Sequence, residues 1–168
     1  MDVLVSVLVP TYKRSDLLPR ALDSILAQTY KNIEIVVVDD NPPESGHRKK
    51  TEAVMDRYIE KNPSVRYVQT AGSTGGGAAR NFGLKYCMGD YIAFLDDDDR
   101  YLPDKIETQL LFMQERQLDM SYQDVQWNDT QERVIEVRRM NRAKNYSQEE
   151  LLRTHIVTAI APTAIYMI

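Results

Sequence analysis

Tyr91-Ile92-Ala93-Phe94-Leu95-Asp96-Asp97-Asp98-Asp99 decides the fold: five strand-forming residues run without a break into four carboxylates. A run that is apolar at every position, not at alternate ones, is a strand covered on both faces, as in a parallel sheet with helices on either side. Two more strand-length runs, each interrupted by one polar residue, precede it. Val3 to Val9 (VLVSVLV) stops at Pro10, and Ile33 to Val38 (IEIVVV) stops at Asp39-Asp40 and the turn Asn41-Pro42-Pro43. Between them Leu17, Leu18, Ala21, Leu22, Ile25 and Leu26 share one helical stripe, with Ser15-Asp16 as the expected N-cap and Pro19 in the first turn. That is a βαβ unit.

The alternation continues. A helix is expected over Thr51 to Glu60, a short strand over Val65 to Val68, and a glycine-rich loop over Gly72 to Gly77. A helix over Ala78 to Tyr86, stopped by Gly89, then leads into the acidic strand, and Leu102-Pro103-Asp104 opens another with Ile106, Leu110, Leu111 and Met113 as its apolar stripe. Past Asp119 the periodicity weakens. Met120 to Trp127 and Arg133 to Val137 read as antiparallel strands, Ser147 to Arg153 as a short capped helix, and Ala164 to Ile168 as a strand cut off mid-element. The fold class is therefore α/β, a mostly parallel sheet flanked by helices.

Composition narrows the function. The 168 residues carry 21 Lys+Arg against 25 Asp+Glu, a net charge of −4, so no general attraction for nucleic acid is expected. A single cysteine, Cys87, excludes an internal disulfide and a CxxC pair and fits a cytoplasmic setting. The acidic start and short first apolar run do not read as a signal peptide, and no stretch approaches the roughly 20 apolar residues of a membrane span. A peripheral contact at the inner face of a membrane, or a homo-oligomer contact through the apolar C-terminal segment, stays compatible with this composition.

In an open parallel sheet ligands sit beyond the carboxyl ends of the strands. Those ends deliver Thr11-Tyr12-Lys13-Arg14, Asp39-Asp40 and Asp96 to Asp99. If the three strands are neighbours, these groups share one crevice. Asp39 is placed to accept hydrogen bonds from a base or ribose, with helix capping as its alternative. Consecutive carboxylates about 4 Å apart repel by roughly 1 to 4 kcal/mol per pair, a cost that a divalent cation removes. All-oxygen donors favour Mg2+ or Mn2+ held by one or two carboxylates together with substrate phosphates, and Asp96 and Asp98 form the Asp-x-Asp pair.

Other readings fail at single residues. GGGAARNFG has no Gly-Lys-Ser/Thr, and Arg80 stands where a dinucleotide fingerprint needs Gly or Ala. Arg100 departs from the phosphoaspartyl phosphatase pattern, and Tyr101 occupies the glycine position of a calcium loop. His47 and His155 stand in a polar loop and near a helix end, apart from any nucleophile pattern. The basic residues Arg133, Arg138, Arg139, Arg142 and Lys144 alternate with Glu136 and Asn141, as on a solvated face.

The collinear segments VSVLVPTYKR (Val5 to Arg14), LLPRALDSILAQTYKNIEIVVVDD (Leu17 to Asp40), GGGAARNFGL (Gly75 to Leu84) and GDYIAFLDDDDRYLPDKI (Gly89 to Ile106) together resemble the inverting family 2 glycosyltransferases of the GT-A fold. The resemblance implies a Rossmann-like GT-A domain over 1–168, truncated at its C-terminus, with 1–110 binding a nucleotide sugar and 111–168 beginning the acceptor side. It implies that Pro10, Thr11, Tyr12 and Arg14 line the nucleotide pocket, that Asp39 bonds the base, and that Arg80 and Asp97 lie at the nucleotide. Asp96 and Asp98 would hold Mn2+ or Mg2+, Asp98 as the foremost ligand. The expected activity is metal-assisted, inverting transfer of a hexose from a nucleoside-diphosphate sugar, commonly a UDP-sugar, to a hydroxyl of a glycan, lipid or small molecule, as in polysaccharide biosynthesis.

The family's catalytic base lies in an acidic motif beyond the segment resembled by Pro162 to Ile168, so the base is expected past residue 168. Asn41-Pro42-Pro43 replaces the family's Gly/Ser-rich turn, and Ala71-Gly72-Ser73 a loop that often carries Asn. Two alternatives remain: a nucleotide-sugar-binding fragment without turnover, and nucleotidyl transfer, against which stands the lack of glycine in Thr11 to Arg14.

Overall fold

A computed structural model describes residues 3–129, 131–138 and 166–167. The expected helix at 147–153, His155 and the basic residues Arg139, Arg142 and Lys144 lie outside them. The first strand, β1 (Val5–Thr11), leads through α1 (Leu18–Leu26) to β2 (Ile33–Asp39), then through α2 (Gly46–Lys61) to β3 (Val65–Gln69). Next, α3 (Gly76–Leu84) precedes β4 (Tyr91–Phe94) and α4 (Lys105–Arg116) precedes β5 (Ser121–Tyr122). A hairpin of β6 (Val125–Asn128) and β7 (Val134–Arg138) stands apart as its own two-stranded sheet. The last described strand, β8 (Tyr166–Met167), lies antiparallel between β4 and β5, giving the order β3-β2-β1-β4-β8-β5 with the first four strands parallel.

Side chains on a strand alternate faces, so the two apolar faces of β1 and β2 go to different layers. Val5, Val7, Val9, Ile35 and Val37 pack with α1, α2 and α4 in the larger core, while Leu8, Val36 and Val38 pack with Ala79 and Phe94 under α3. In α1 the buried residues Leu18, Ala21, Leu22 and Ile25 follow the expected stripe, and a proline stands in its first turn. Its N-cap is Leu17, however, with no side-chain cap bond, so Ser15-Asp16 does not cap it. The helix α2 starts five residues before the expected Thr51, because Ser45 Oγ accepts from Arg48 N at 3.1 Å and caps it. In α4 the buried stripe holds Gln109, which donates to Ser121 Oγ at 3.0 Å, whereas Leu111 is exposed. The buried stripe of α4 is centred on Ile106, Gln109, Leu110 and Met113, and at 100° per residue Leu111 falls on the opposite side of the helix.

Gly89 does not stop α3, which ends at Leu84. Its role is space: a Cβ there would lie 2.5 Å from Ser6 N and 2.9 Å from Leu4 O, where the chain enters β4 against β1. Both obstacles are backbone. Gly89→Ala is expected to cost about 1–3 kcal/mol, read as a lower denaturation midpoint with unchanged slope; an unchanged midpoint would mean that the turn yields freely.

Candidate functional site

The carboxyl ends of β2, β1 and β4 lie side by side, and their loops surround an open cavity of about 470 Å3. Pro10, Thr11, Tyr12 and Arg14 form one wall, Asp96, Asp97 and Asp98 the floor, and Arg80 and Ala79 the side contributed by α3. The remaining wall is Asp40, Ser73, Gly75 and Gly76. Every site residue expected from sequence therefore reaches one cavity, except Asp39.

Asp39 lies off the cavity, and the cause is alternation. As an odd-numbered residue of β2 it shares the face of Val37, and its side chain points away from α3 toward α2. It is fully buried. Its Oδ1 accepts from Asn41 N at 2.8 Å and Asn41 Nδ2 at 2.7 Å, and its Oδ2 accepts from Tyr67 Oη at 2.5 Å and faces Arg48 Nε at 3.4 Å. Burial, then the bond to Asp39, pushes the Tyr67 hydroxyl above its ordinary pKa. Arg48 completes the knot: Nη2 donates to Thr70 O at 3.0 Å, and Nε to Asn41 O at 3.1 Å. Asp39 thus forms, with Tyr67 and Arg48, a buried clamp between the ends of β2 and β3.

Asp40, one residue on, faces α3 and the cavity. Its Oδ1 accepts from Thr70 Oγ1 at 2.5 Å, Thr74 Oγ1 at 2.7 Å and Thr74 N at 3.1 Å, and its Oδ2 accepts from Gly75 N at 2.9 Å. Burial alone would raise its pKa, but these bonds together hold it below the ordinary carboxylate value. Asp40 thereby fixes the glycine-rich loop at the start of α3. The loop needs its glycines: Gly72 and Gly75 have φ of +98° and +88°, and a Cβ at Gly72 would lie 2.6 Å from Pro42 Cα. The sequence places Asp39-Asp40 together at the shared crevice and singles out Asp39, whereas Asp40 is the one that lines the cavity.

On the floor, Asp97 is buried, and its Oδ2 accepts from Thr11 Oγ1 at 2.7 Å. Burial raises its pKa and the neighbouring charge of Asp98 adds to this, against the opposing pull of Thr11 and Arg14. Asp98 is ion-paired to Arg14, whose Nη1 also lies 3.2 Å from Asp97, and Asp96 is ion-paired to Arg80. Arg20 donates to the carbonyl of Asp98. Across the mouth, Tyr12 Oη and Ser73 Oγ are 3.4 Å apart. The cavity offers hydrogen-bond acceptors at the Asp40 end, two guanidinium groups, and a carboxylate pair of hard oxygen donors. That combination suits a ligand with a polar ring at one end and phosphates at the other.

A family model described as glycosyl transferase family 2 matches residues 6–167. An uncharacterized glycosyltransferase of Rickettsia felis is 37% identical over 135 residues, covering 80% of this chain and 21% of that protein. The mannosyltransferase PcManGT from Pyrobaculum calidifontis, solved in complex with GDP-Man and Mn2+, superposes with a TM-score of 0.59 at 26% identity, covering 66% of this chain and 32% of that one. TarS 1–349 of S. aureus, solved with UDP-GlcNAc, gives 0.61 at 28% identity, covering 70% of this chain and 33% of that one. The chain thus spans about a fifth of the curated relative and a third of each solved chain. Among the described residues no helix is long and apolar enough to cross a membrane.

Proposed function

Because this chain belongs to glycosyl transferase family 2, we propose that its cavity receives the nucleoside diphosphate of a sugar donor, as the donor half of a transferase acting on an acceptor hydroxyl with inversion. The observation that carries this reading is the meeting of Thr11, Tyr12, Arg14, Asp40, Arg80 and Asp96 to Asp98 on one cavity at three adjacent parallel strand ends. In this reading Tyr12, Pro10 and Asp40 receive the base, with Asp40 in the role expected of Asp39. Asp97, held by Thr11, lies at the ribose, and Arg14 and Arg80 meet the phosphates. UDP and GDP are both candidates, since the solved relatives hold one of each kind.

The donor set also suits Mn2+ or Mg2+. Among the described residues no three His, Cys, Asp or Glu side chains are grouped to enclose a metal by themselves. Asp96 and Asp98 flank the cavity floor with carboxylates one-third to one-half exposed, so they fit an ion whose remaining ligands come from phosphate and water. When bound, that ion would neutralise charge on the departing diphosphate. The chain's own groups bind and orient the donor: Thr11 fixes Asp97, Asp40 fixes the loop, and the arginines draw in the phosphates. The base that deprotonates the acceptor is assigned beyond residue 168, and the acceptor to a hydroxyl of a glycan, lipid or small molecule.

Calorimetric titration with UDP and GDP, with and without Mn2+, tests the reading. One nucleotide is expected to bind only with Mn2+, and Asp98→Ala to weaken it about tenfold or more. A chain that melts cooperatively yet binds neither nucleotide with Mn2+ present would sink the proposal.

A further inference from the structure

Each carboxylate placed to take a metal already has a guanidinium partner drawn from the cavity's own lining. Arg80, on the second turn of α3, pairs with Asp96, and Arg14, just past β1, pairs with Asp98 and lies 3.2 Å from Asp97. We propose that Arg14 and Arg80 are resident counter-ions of the Asp96–Asp98 cluster, which exclude a free divalent cation and pass to the diphosphate when nucleotide and metal enter together. This rests on the donor-site reading above and adds to it an exchange of partners between the two arginines.

Three observations support the exchange. First, the Arg14–Asp98 pair is loosely held: its side chains are 47% and 44% exposed, and exposed ion pairs contribute little net stability. Second, Arg80 is incompletely satisfied among the described residues, because its Nε is buried with no hydrogen-bond partner there while Nη2 pairs with Asp96. A guanidinium that spends one edge on a carboxylate and leaves a buried donor unused is better matched by phosphate oxygens, which accept in bidentate fashion. Third, Gly76 leaves room for that guanidinium, since a Cβ there would stand 3.0 Å from Arg80 Nη1.

The electrostatic consequence follows from charge placement. A divalent cation arriving alone must displace both guanidinium groups, and the freed positive charges then face the ion with no anion between them. When a diphosphate arrives with the cation, the same charges gain the phosphate oxygens, and the carboxylates are left to the metal. Metal and nucleotide are therefore positively coupled, each tightening the other by the same factor, as linkage requires.

The test reads metal binding directly and needs no turnover. Free Mn2+ is followed by electron paramagnetic resonance in titrations of the chain without nucleotide, for wild type, Arg80→Gln, Arg80→Lys and Arg14→Gln. Both Gln variants are expected to bind Mn2+ alone about tenfold more tightly, Arg80→Lys to stay near wild type, and the mutual enhancement between Mn2+ and UDP or GDP to shrink in Arg80→Gln. Folded Gln variants that bind Mn2+ no more tightly than wild type would overturn the proposal. Should Arg80→Gln lose its cooperative melt, Arg14→Gln decides, since its side chain is half exposed. If wild type binds neither UDP nor GDP with Mn2+ while the Gln variants gain Mn2+, the donor-site reading and the release step both fall and the counter-ion assignment stands.

Discussion

Asp39→Ala is expected to lower stability by about 3–5 kcal/mol, a fall in melting temperature of roughly 10 °C. The cause is what the substitution leaves behind. Arg48, only 3% exposed, would keep its charge inside the protein without a carboxylate, and Tyr67 Oη and Asn41 Nδ2 would lose their acceptor. The three carbonyls that Arg48 also bonds, at Asp39, Asn41 and Thr70, limit the damage without cancelling the charge. Chemical denaturation of wild type and variant measures the loss directly. The same protein, studied below its midpoint, should retain more nucleotide affinity than Asp40→Ala, whose side chain faces the cavity. An unchanged melt with nucleotide binding abolished would return Asp39 to the role of a base contact.

Lys105→Met is expected to act in the opposite direction, raising stability at neutral pH by on the order of 3 kcal/mol. Lys105 is 8% exposed; among the described residues its Nζ has no hydrogen-bond partner and lies 4.1 Å from the centroid of the Tyr101 ring. Burial pushes its pKa down from 10.5 to about 7. Between those two values the unfolded chain binds the proton and the folded chain does not, so wild-type stability should climb as pH rises from 7 toward 10. Below pH 7 the ammonium is charged in both states and its full burial cost applies. Above pH 10 the trend reverses, because burial raises the pKa of Tyr58 and Tyr67, which favours proton release from the unfolded chain. Met keeps the length of the stem without the charge, so the climb between pH 7 and 10 should vanish in the variant. Parallel stability curves for the two proteins across that window would refute the assignment.

Residue order alone specifies the layers, the strand ends and the chemical kind of the site. Continuous β-branched runs require helices on both faces, and the polar residues that end those runs fall on the carboxyl edge of the sheet. Hence Thr11 to Arg14 and Asp96 to Asp98 were legible from residue order alone, and Arg80 became so through the family likeness. The placement of Leu111, Gly89 and Asp39 was not legible. Each depends on a neighbour far along the chain: the sheet under α4, the backbone at Leu4 and Ser6, and the buried Arg48.

The choice between Asp39 and Asp40 makes the physical reason plain. From Ile35 to Val38 β2 is apolar on both faces, so the pattern carries no mark of which face holds the ligand. Only the packed sheet, with α2 on one side and α3 on the other, assigns alternate carboxylates to a buried clamp and to the cavity. Packing likewise brings Arg14 and Arg80 to the carboxylates, since spacings of 84 and 16 residues leave no local signature. The sequence specifies which chemistry gathers at the sheet's edge, and three-dimensional packing specifies which of those charges face one another.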